Sequence, residues 1–407
     1  MRSPLRALSC AAALLGALMA DRTLADPVPD MKAMGLVLGQ GRYLEAYLQM
    51  EGRVGEPGYD PGTHALIRSF VLTGAADYLP AGMERCADSA IADDLRSSRA
   101  TDAVREIVRR ARRSRIVILN EHHFEPRHRA FALQVARALR PLGYSYLAAE
   151  ALMNPREDLA KRGFVVRSTG VYTNEPMFAD FIREALAIGY RPVAYDDGEL
   201  APGIDRIDAR EELQARNIAQ RALGPGNEGK VLIYAGFSHA TEVPFGRSYD
   251  RPHEWMAMRL RRLTGIDPLT IDQTQIVDPA CLPPDSVAKA LRANRYGDIA
   301  LRRNGAPLTT GVYRGAVDLQ VLHLPVAPIH RRAAWLTQIG RRRLAIPARF
   351  AGNRAPRLVQ AFARGSPADA VPLDQVLLAP GETAPPPLMV PNVAVELRVQ
   401  DPQETGE

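Results

Sequence analysis

The chain is expected to fold as an α/β protein with a mainly parallel sheet and flanking helices. Two observations predict it. Five short apolar runs between Arg115 and Gln275 alternate with longer segments whose apolar residues recur at helical spacing. Gly or Pro stands at most of the junctions, where both residues punctuate regular structure. Strands alternating with helices imply right-handed crossovers and parallel pairing. No repeat of 20–50 residues is visible, so a solenoid is excluded.

Each element follows from its residues. Arg115–Leu119 (Arg-Ile-Val-Ile-Leu) reads as a buried strand. Pro126 suits a first helical position, and Phe131, Ala132, Val135 and Leu139 then share one face. Leu142-Gly143 closes that helix, and Tyr144–Ala149 is a second strand. Phe178–Ile188 is a helix closed by Gly189, followed by the strand Arg191–Tyr195. Asp208–Leu223 is a helix ended by Gly224-Pro225-Gly226, and Lys230–Ala235 is a fourth strand. Glu254–Leu263, ended by Gly265, precedes a fifth strand over Leu269–Gln275.

The α/β region spans 101–280. Residues 26–100 read as a helical segment, weakly patterned and broken near Gly52–Pro57. Residues 281–355 are mixed in character, and 356–402 read as a small antiparallel β module. Its last strand alternates Val393, Val395, Leu397 and Val399 with Ala394, Glu396 and Arg398. Gln403–Glu407 is expected to fray.

Composition narrows the class further. With 46% hydrophobic and 24% charged residues the chain is a folded globular protein rather than a disordered one. Its 52 basic residues include only four lysines (Lys32, Lys161, Lys230, Lys289), a codon-usage skew that weakens any argument from arginine to nucleic acid. The run Arg109-Arg110-Ala111-Arg112-Arg113-Ser114-Arg115 reads as a solvated helix end, and no nucleic-acid partner is expected.

Met1-Arg2-Ser3-Pro4-Leu5-Arg6, an apolar stretch from Ala7 to Ala20 and Thr23-Leu24-Ala25 describe a signal peptide over residues 1–25. The mature chain would be periplasmic or secreted and have no membrane-spanning segment, and N-terminal sequencing should begin at Asp26. Two of the three cysteines, Cys86 and Cys281, then remain, and an exported pair suggests a disulfide. Two buried free thiols are the alternative.

The polar residues at the strand ends carry the functional signal. Strand one ends in Asn120-Glu121-His122-His123, strand two in Glu150, strand three in Asp196-Asp197 and strand four in Gly236-Phe237-Ser238-His239. Ligands of open parallel sheets bind beyond the carboxyl ends of the strands. An imidazole accepts a proton near neutral pH, and a neighbouring carboxylate sets its tautomer. The same four residues, Glu121, His123, Glu150 and His239, could instead hold a divalent metal with an open water position. The residues do not choose between these. No G-x-S-x-G, phosphate-binding loop or H-E-x-x-H helix is present.

Ile-Val-Ile-Leu-Asn-Glu-His-His, the Glu after strand two and Gly-x-x-His after strand four resemble the superfamily of erythromycin esterases, Tiki proteases and ChaN haem-binding proteins. The resemblance covers about 115–275. Its first motif usually begins with Gly, where this chain has Asn120, whereas Glu121, His123, Glu150 and His239 match. The helix Arg210-Glu211-x-x-Gln214-x-x-Asn217, with Arg210, Gln214 and Asn217 at i, i+4 and i+7, resembles a family helix, and Gly170–Pro176 resembles the loop before another.

The resemblance implies either a hydrolase, esterase-like without metal or peptidase-like with Mn, Co or Zn, or a haem-binding protein. The substrate would be a small molecule or a peptide, contacted by His122, Tyr172, Asp196, Asp197, Arg210 and Asn217. A cell-envelope binding module without chemistry is the third reading.

Overall fold

The computed structural model describes residues 31–76, 78, 89–152, 158–200, 205–227, 229–246, 251–275 and 282–402. Residues 1–25, read above as a signal peptide, Cys86, Cys281 and Gln403–Glu407 lie outside the described residues, and with them the disulfide expectation. The chain divides into two compact units. One holds 82–164 and 181–327, and the other holds residues up to 81, 165–180 and 328–407.

The first unit is built on a six-stranded parallel sheet. Its strands are β1 (Ile116–Glu121), β2 (Tyr144–Ala149), β3 (Arg191–Val193), β4 (Lys230–Gly236), β5 (Leu269–Asp272) and β6 (Leu319–Gln320). They lie in the order β3-β2-β4-β1-β5-β6, so β4 runs between β1 and β2. Register pairs Glu121 with Gly236 and Ala149 with Tyr234. The ends of these three strands are therefore level.

Side-chain alternation assigns the two faces. Ile116, Ile118, Ala148, Ile233 and Ala235 pack on Ala215 and Ile218 of α2 (Arg206–Ala222) and on Met256 and Leu260 of α3 (Met256–Thr264). Glu121 has the opposite parity and lies on the other face with Tyr234. The helix α1 (Pro126–Leu139) starts at Pro126 behind a Glu125 cap and ends through Gly143, whose φ of +88° suits only glycine readily. The same unit carries an antiparallel sheet of Arg99–Asp102, Asp298–Arg303, Ala306–Leu308 and Leu322–His323.

Several expected boundaries move. β1 continues to Glu121 rather than stopping at Leu119, so Asn120 and Glu121 are inside the strand. β3 stops at Val193 instead of Tyr195, and β5 at Asp272 instead of Gln275. β6 and Asp298–Arg303 come from a stretch with no strand signal. Both are strands whose neighbours, not their own pattern, define them.

The second unit carries a three-stranded antiparallel sheet, Asp374–Leu378, Arg357–Ala363 and Val395–Gln400, with the second in the middle. Val359, Ala361, Val376 and Leu378 form its core with Ile346, Leu388 and Val390. The helices Tyr43–Glu51 and Pro61–Val71 belong to this unit, as does the one-turn helix Tyr172–Asn174. No helix among the described residues is long and apolar enough to cross a membrane.

Candidate active site

Glu121 is the last residue of β1, Glu150 follows β2 directly, and His239 lies in the short helix Phe237–Ala240 after β4. Because β4 sits between the other two, three strand ends bring these groups to one place. None is more than 5% exposed.

His123 is held by Glu121, whose Oε1 accepts from Nδ1 at 2.9 Å. That contact puts the acceptor lone pair on Nε2. Glu121 is itself fixed from two sides. Arg129, wholly buried on the first turns of α1, donates Nε to Oε2 at 2.9 Å and also Nη2 to the His123 carbonyl at 2.7 Å. Tyr234 donates its hydroxyl to Glu121 Oε2 at 2.8 Å. Burial alone would raise the Glu121 carboxyl, but Arg129 and His123 outweigh it and hold it down at about 2.

The second group is centred on Glu150. Its Oε2 accepts from the Gly236 N–H at 2.6 Å and its Oε1 from Arg210 Nη2 at 2.5 Å. Arg210 also forks onto Asp196, which Gln214 joins at 2.9 Å. His239 Nε2 stands 3.5 Å from Glu150, and its Nδ1 donates to Glu211 at 2.8 Å. Burial disfavours charge on His239, yet Glu211 and Glu150 together hold its imidazole up at about 10. It is an imidazolium at neutral pH. Glu150 stays ionised for the reciprocal reason: His239 and Arg210 outweigh its burial.

Gly236 joins the two groups. A Cβ there would stand 2.4 Å from His123 Cε1, 2.5 Å from its Nε2 and 3.2 Å from Glu150 Oε2. Only a residue without a side chain lets the imidazole lie over the strand end. The next residue, Phe237, has φ +35°, a strained value for a non-glycine, and its ring meets those of His122 and His123 edge-on at 4.9 and 5.0 Å.

The other sequence candidates are placed as follows. His122 is half-buried against Phe124 and Phe237, and burial pushes its imidazole down to about 4. Arg210 bridges Glu150 and Asp196. Asp197 instead pairs with Arg221, and Asn217 donates to the carbonyls of Tyr195 and Asp197. Tyr172 belongs to the other unit and is buried there at 2% exposure. Asn120 ties strand ends together through Asp272, the Phe237 carbonyl and the Gln273 N–H.

Sequence reasoning missed Arg129, Tyr234 and Glu211. A charged residue inside the apolar stretch Arg129-Ala130-Phe131-Ala132 was the available signal for the first. Glu211 adjoins Arg210 in the helix that carries the resemblance, and nothing local marks Tyr234.

The donor set accommodates a divalent ion poorly. Arg129 and Arg210 already occupy the two carboxylates, so a divalent ion there would have to compete with a guanidinium for each. A further set, Asp205, Asp208 and His253, has ligand atoms within 4.8 Å of one another. Asp205 caps α2, however, and Asp208 is shared with Arg251 and Arg259.

The two titrations predict a stability profile. Glu121 titrates lower in the folded chain than its ordinary 4.5, so its contribution is complete above that pH and is lost as pH falls toward about 2. His239 titrates above its ordinary 6.5, so its contribution is complete below pH 6.5 and is lost as pH rises through about 10. At full effect Glu121 is worth on the order of 3 kcal/mol and His239 on the order of 5 kcal/mol. Urea midpoints measured across pH should peak between these limits and fall on both sides, whereas a flat profile would contradict the assigned charge states.

No family model matches the chain, and no curated protein matches it. Among solved structures it is similar to the type III effector HopBA1, at 15% identity over 56% of this chain and 96% of that one, with a TM-score of 0.31. It is also similar to RRSP, a MARTX toxin effector domain from Vibrio vulnificus, at 15% identity over 57% of this chain and 54% of that one, with a TM-score of 0.31. A third is ChaN of Campylobacter jejuni, described with cofacial haem, at 10% identity over 44% and 92%, with a TM-score of 0.30. The chain thus spans about half the length of the toxin domain. At these scores the chemistry rests on the site's own geometry.

Proposed function

We propose that the protein is a metal-independent hydrolase that activates water with His123 and acts on an ester or peptide-type substrate. The observation that carries the reading is the buried series Arg129–Glu121–His123 set against the Glu150–His239 group across Gly236. His123 Nε2 takes a proton from water as the oxygen attacks the carbonyl carbon. Glu121 stabilises the imidazolium that forms, and Arg129 with Tyr234 keeps the carboxylate aimed at Nδ1. The His239 imidazolium and Arg210 supply positive charge for the oxyanion. Collapse of the tetrahedral intermediate expels the alcohol or amine, which takes the proton back from His123.

Two arginines on the carboxylates favour this over the metal-dependent version. The charged start and apolar stretch Ala7–Ala20 support a periplasmic or secreted setting for this reaction. The test is a panel of chromogenic esters and peptides, with and without chelator, on protein whose visible spectrum has been recorded. Hydrolysis insensitive to chelator, by colourless protein, supports the proposal. Activity that chelator abolishes and Mn²⁺, Co²⁺ or Zn²⁺ restores would favour the metal version, and a Soret band without hydrolysis would favour haem binding.

Gly236→Ala separates the site from the fold. The Gly236 backbone, at φ −81° and ψ 151°, accepts alanine without strain, but the new Cβ displaces His123. A displacement of about 1 Å should lower kcat by about 10² with the fold retained. Unchanged kcat would remove His123 from the chemistry.

A further inference from the structure

A cavity of about 640 Å³ lies in the unit of residues 82–164 and 181–327, away from the residues described above. Five cationic side chains line it: Arg99, Arg105, Arg109, Lys289 and Arg292. Arg99 comes from the strand Arg99–Asp102, and Arg105 and Arg109 are one turn apart on the helix Ala103–Ala111. Lys289 and Arg292 come from the last turn and C-cap of Pro284–Leu291. All five are exposed.

Two acids share the lining, and both are already engaged. Asp102 caps its helix through the Arg105 N–H at 2.8 Å and accepts from Asn294 at 2.9 Å. Glu106 is shared by Arg109 at 2.6 Å, Arg110 at 2.9 Å and Arg302 at 3.1 Å. Three guanidinium groups on one carboxylate leave excess positive charge. Arg99, Arg105, Lys289 and Arg292 have no carboxylate partner among the described residues.

Like charges held together in a concavity raise the potential there and draw anions in. The lining contains no aromatic side chain on which a base could stack, which disfavours a nucleic-acid strand. The volume is that of a small-molecule site. Guanidinium forks from three elements, with the Lys289 ammonium beside one of them, match phosphate oxygens better than a single carboxylate. We propose that this cavity binds a soluble, multiply phosphorylated small molecule.

The test is calorimetric titration of the full chain with inositol hexakisphosphate and with pyrophosphate, using citrate as a non-phosphate polyanion. Expected is saturable 1:1 binding of the phosphorylated probes, in preference to citrate, weakening as salt rises from about 0.05 to about 0.3 M. Lys289→Ala with Arg292→Ala should weaken it about tenfold or more. Arg113→Ala with Arg349→Ala, an equal charge loss outside the lining, should not. Both altered positions in the first pair are exposed, so circular dichroism should match the wild type. If it does not, the single Lys289→Gln variant takes its place with the same expectation. Equal weakening by both pairs, binding of citrate as tight as that of pyrophosphate, binding only to phosphatidylglycerol vesicles, or no binding would each overturn the proposal.

Discussion

Arg129→Met should lower the melting temperature by roughly 6–20 °C, the largest stability effect expected of any single change at the site. Arg129 is fully buried, and its removal strands the Glu121 carboxylate, which is 2% exposed. Breaking a buried pair from one side costs about 3–5 kcal/mol because the remaining charge stays desolvated. In a cooperative unit the size of the one that holds Arg129, each kcal/mol corresponds to roughly 2–4 °C. Adding Glu121→Gln should recover much of the loss, since the amide carries no charge while Tyr234 can still donate to its oxygen. If the double variant melts no higher than the single one, the loss is a packing effect and the ion pair is not its source.

His123→Asn should lower kcat/KM for any hydrolysed substrate by about 10²–10⁴ while the fold persists. Asparagine keeps some hydrogen bonding to Glu121 but accepts no proton from water. Glu121→Gln should also reduce the rate, with the loss of imidazolium stabilisation falling mainly on kcat. His239→Gln offers the contrast. It removes a cation rather than a base, so the pH dependence attributable to His123 should survive in what activity remains. A His123→Asn enzyme at full rate would end the water-activation reading.

Much of this site was legible in the sequence because of where polar residues interrupt apolar runs. Ile-Val-Ile-Leu followed by Asn-Glu-His-His marks both a buried strand and the end at which chemistry collects. The same holds for Tyr144–Ala149 followed by Glu150. Parallel strands share one direction, so their carboxyl ends fall on one rim. The residues that hold those groups were less visible. Glu211 reaches His239 across 28 positions, and Tyr234 reaches Glu121 across 113. Such contacts leave no periodicity to detect.

Local pattern by itself determined the alternation of strands and helices, the starts of Pro126–Leu139 and Tyr144–Ala149, and the set of acids and imidazoles at the strand ends. Those features depend on side-chain period and on backbone preferences a few residues long. Tertiary structure alone decided that Lys230–Gly236 lies between the first two strands, which puts Gly236 under the His123 ring and within hydrogen-bond reach of Glu150. It also decided the charge states. Glu121 is an anion because Arg129 lies buried against it, and His239 is a cation because two carboxylates from different elements flank it. Strand order and electrostatic environment come from residues far apart in the chain, where no local pattern records which partner each group meets.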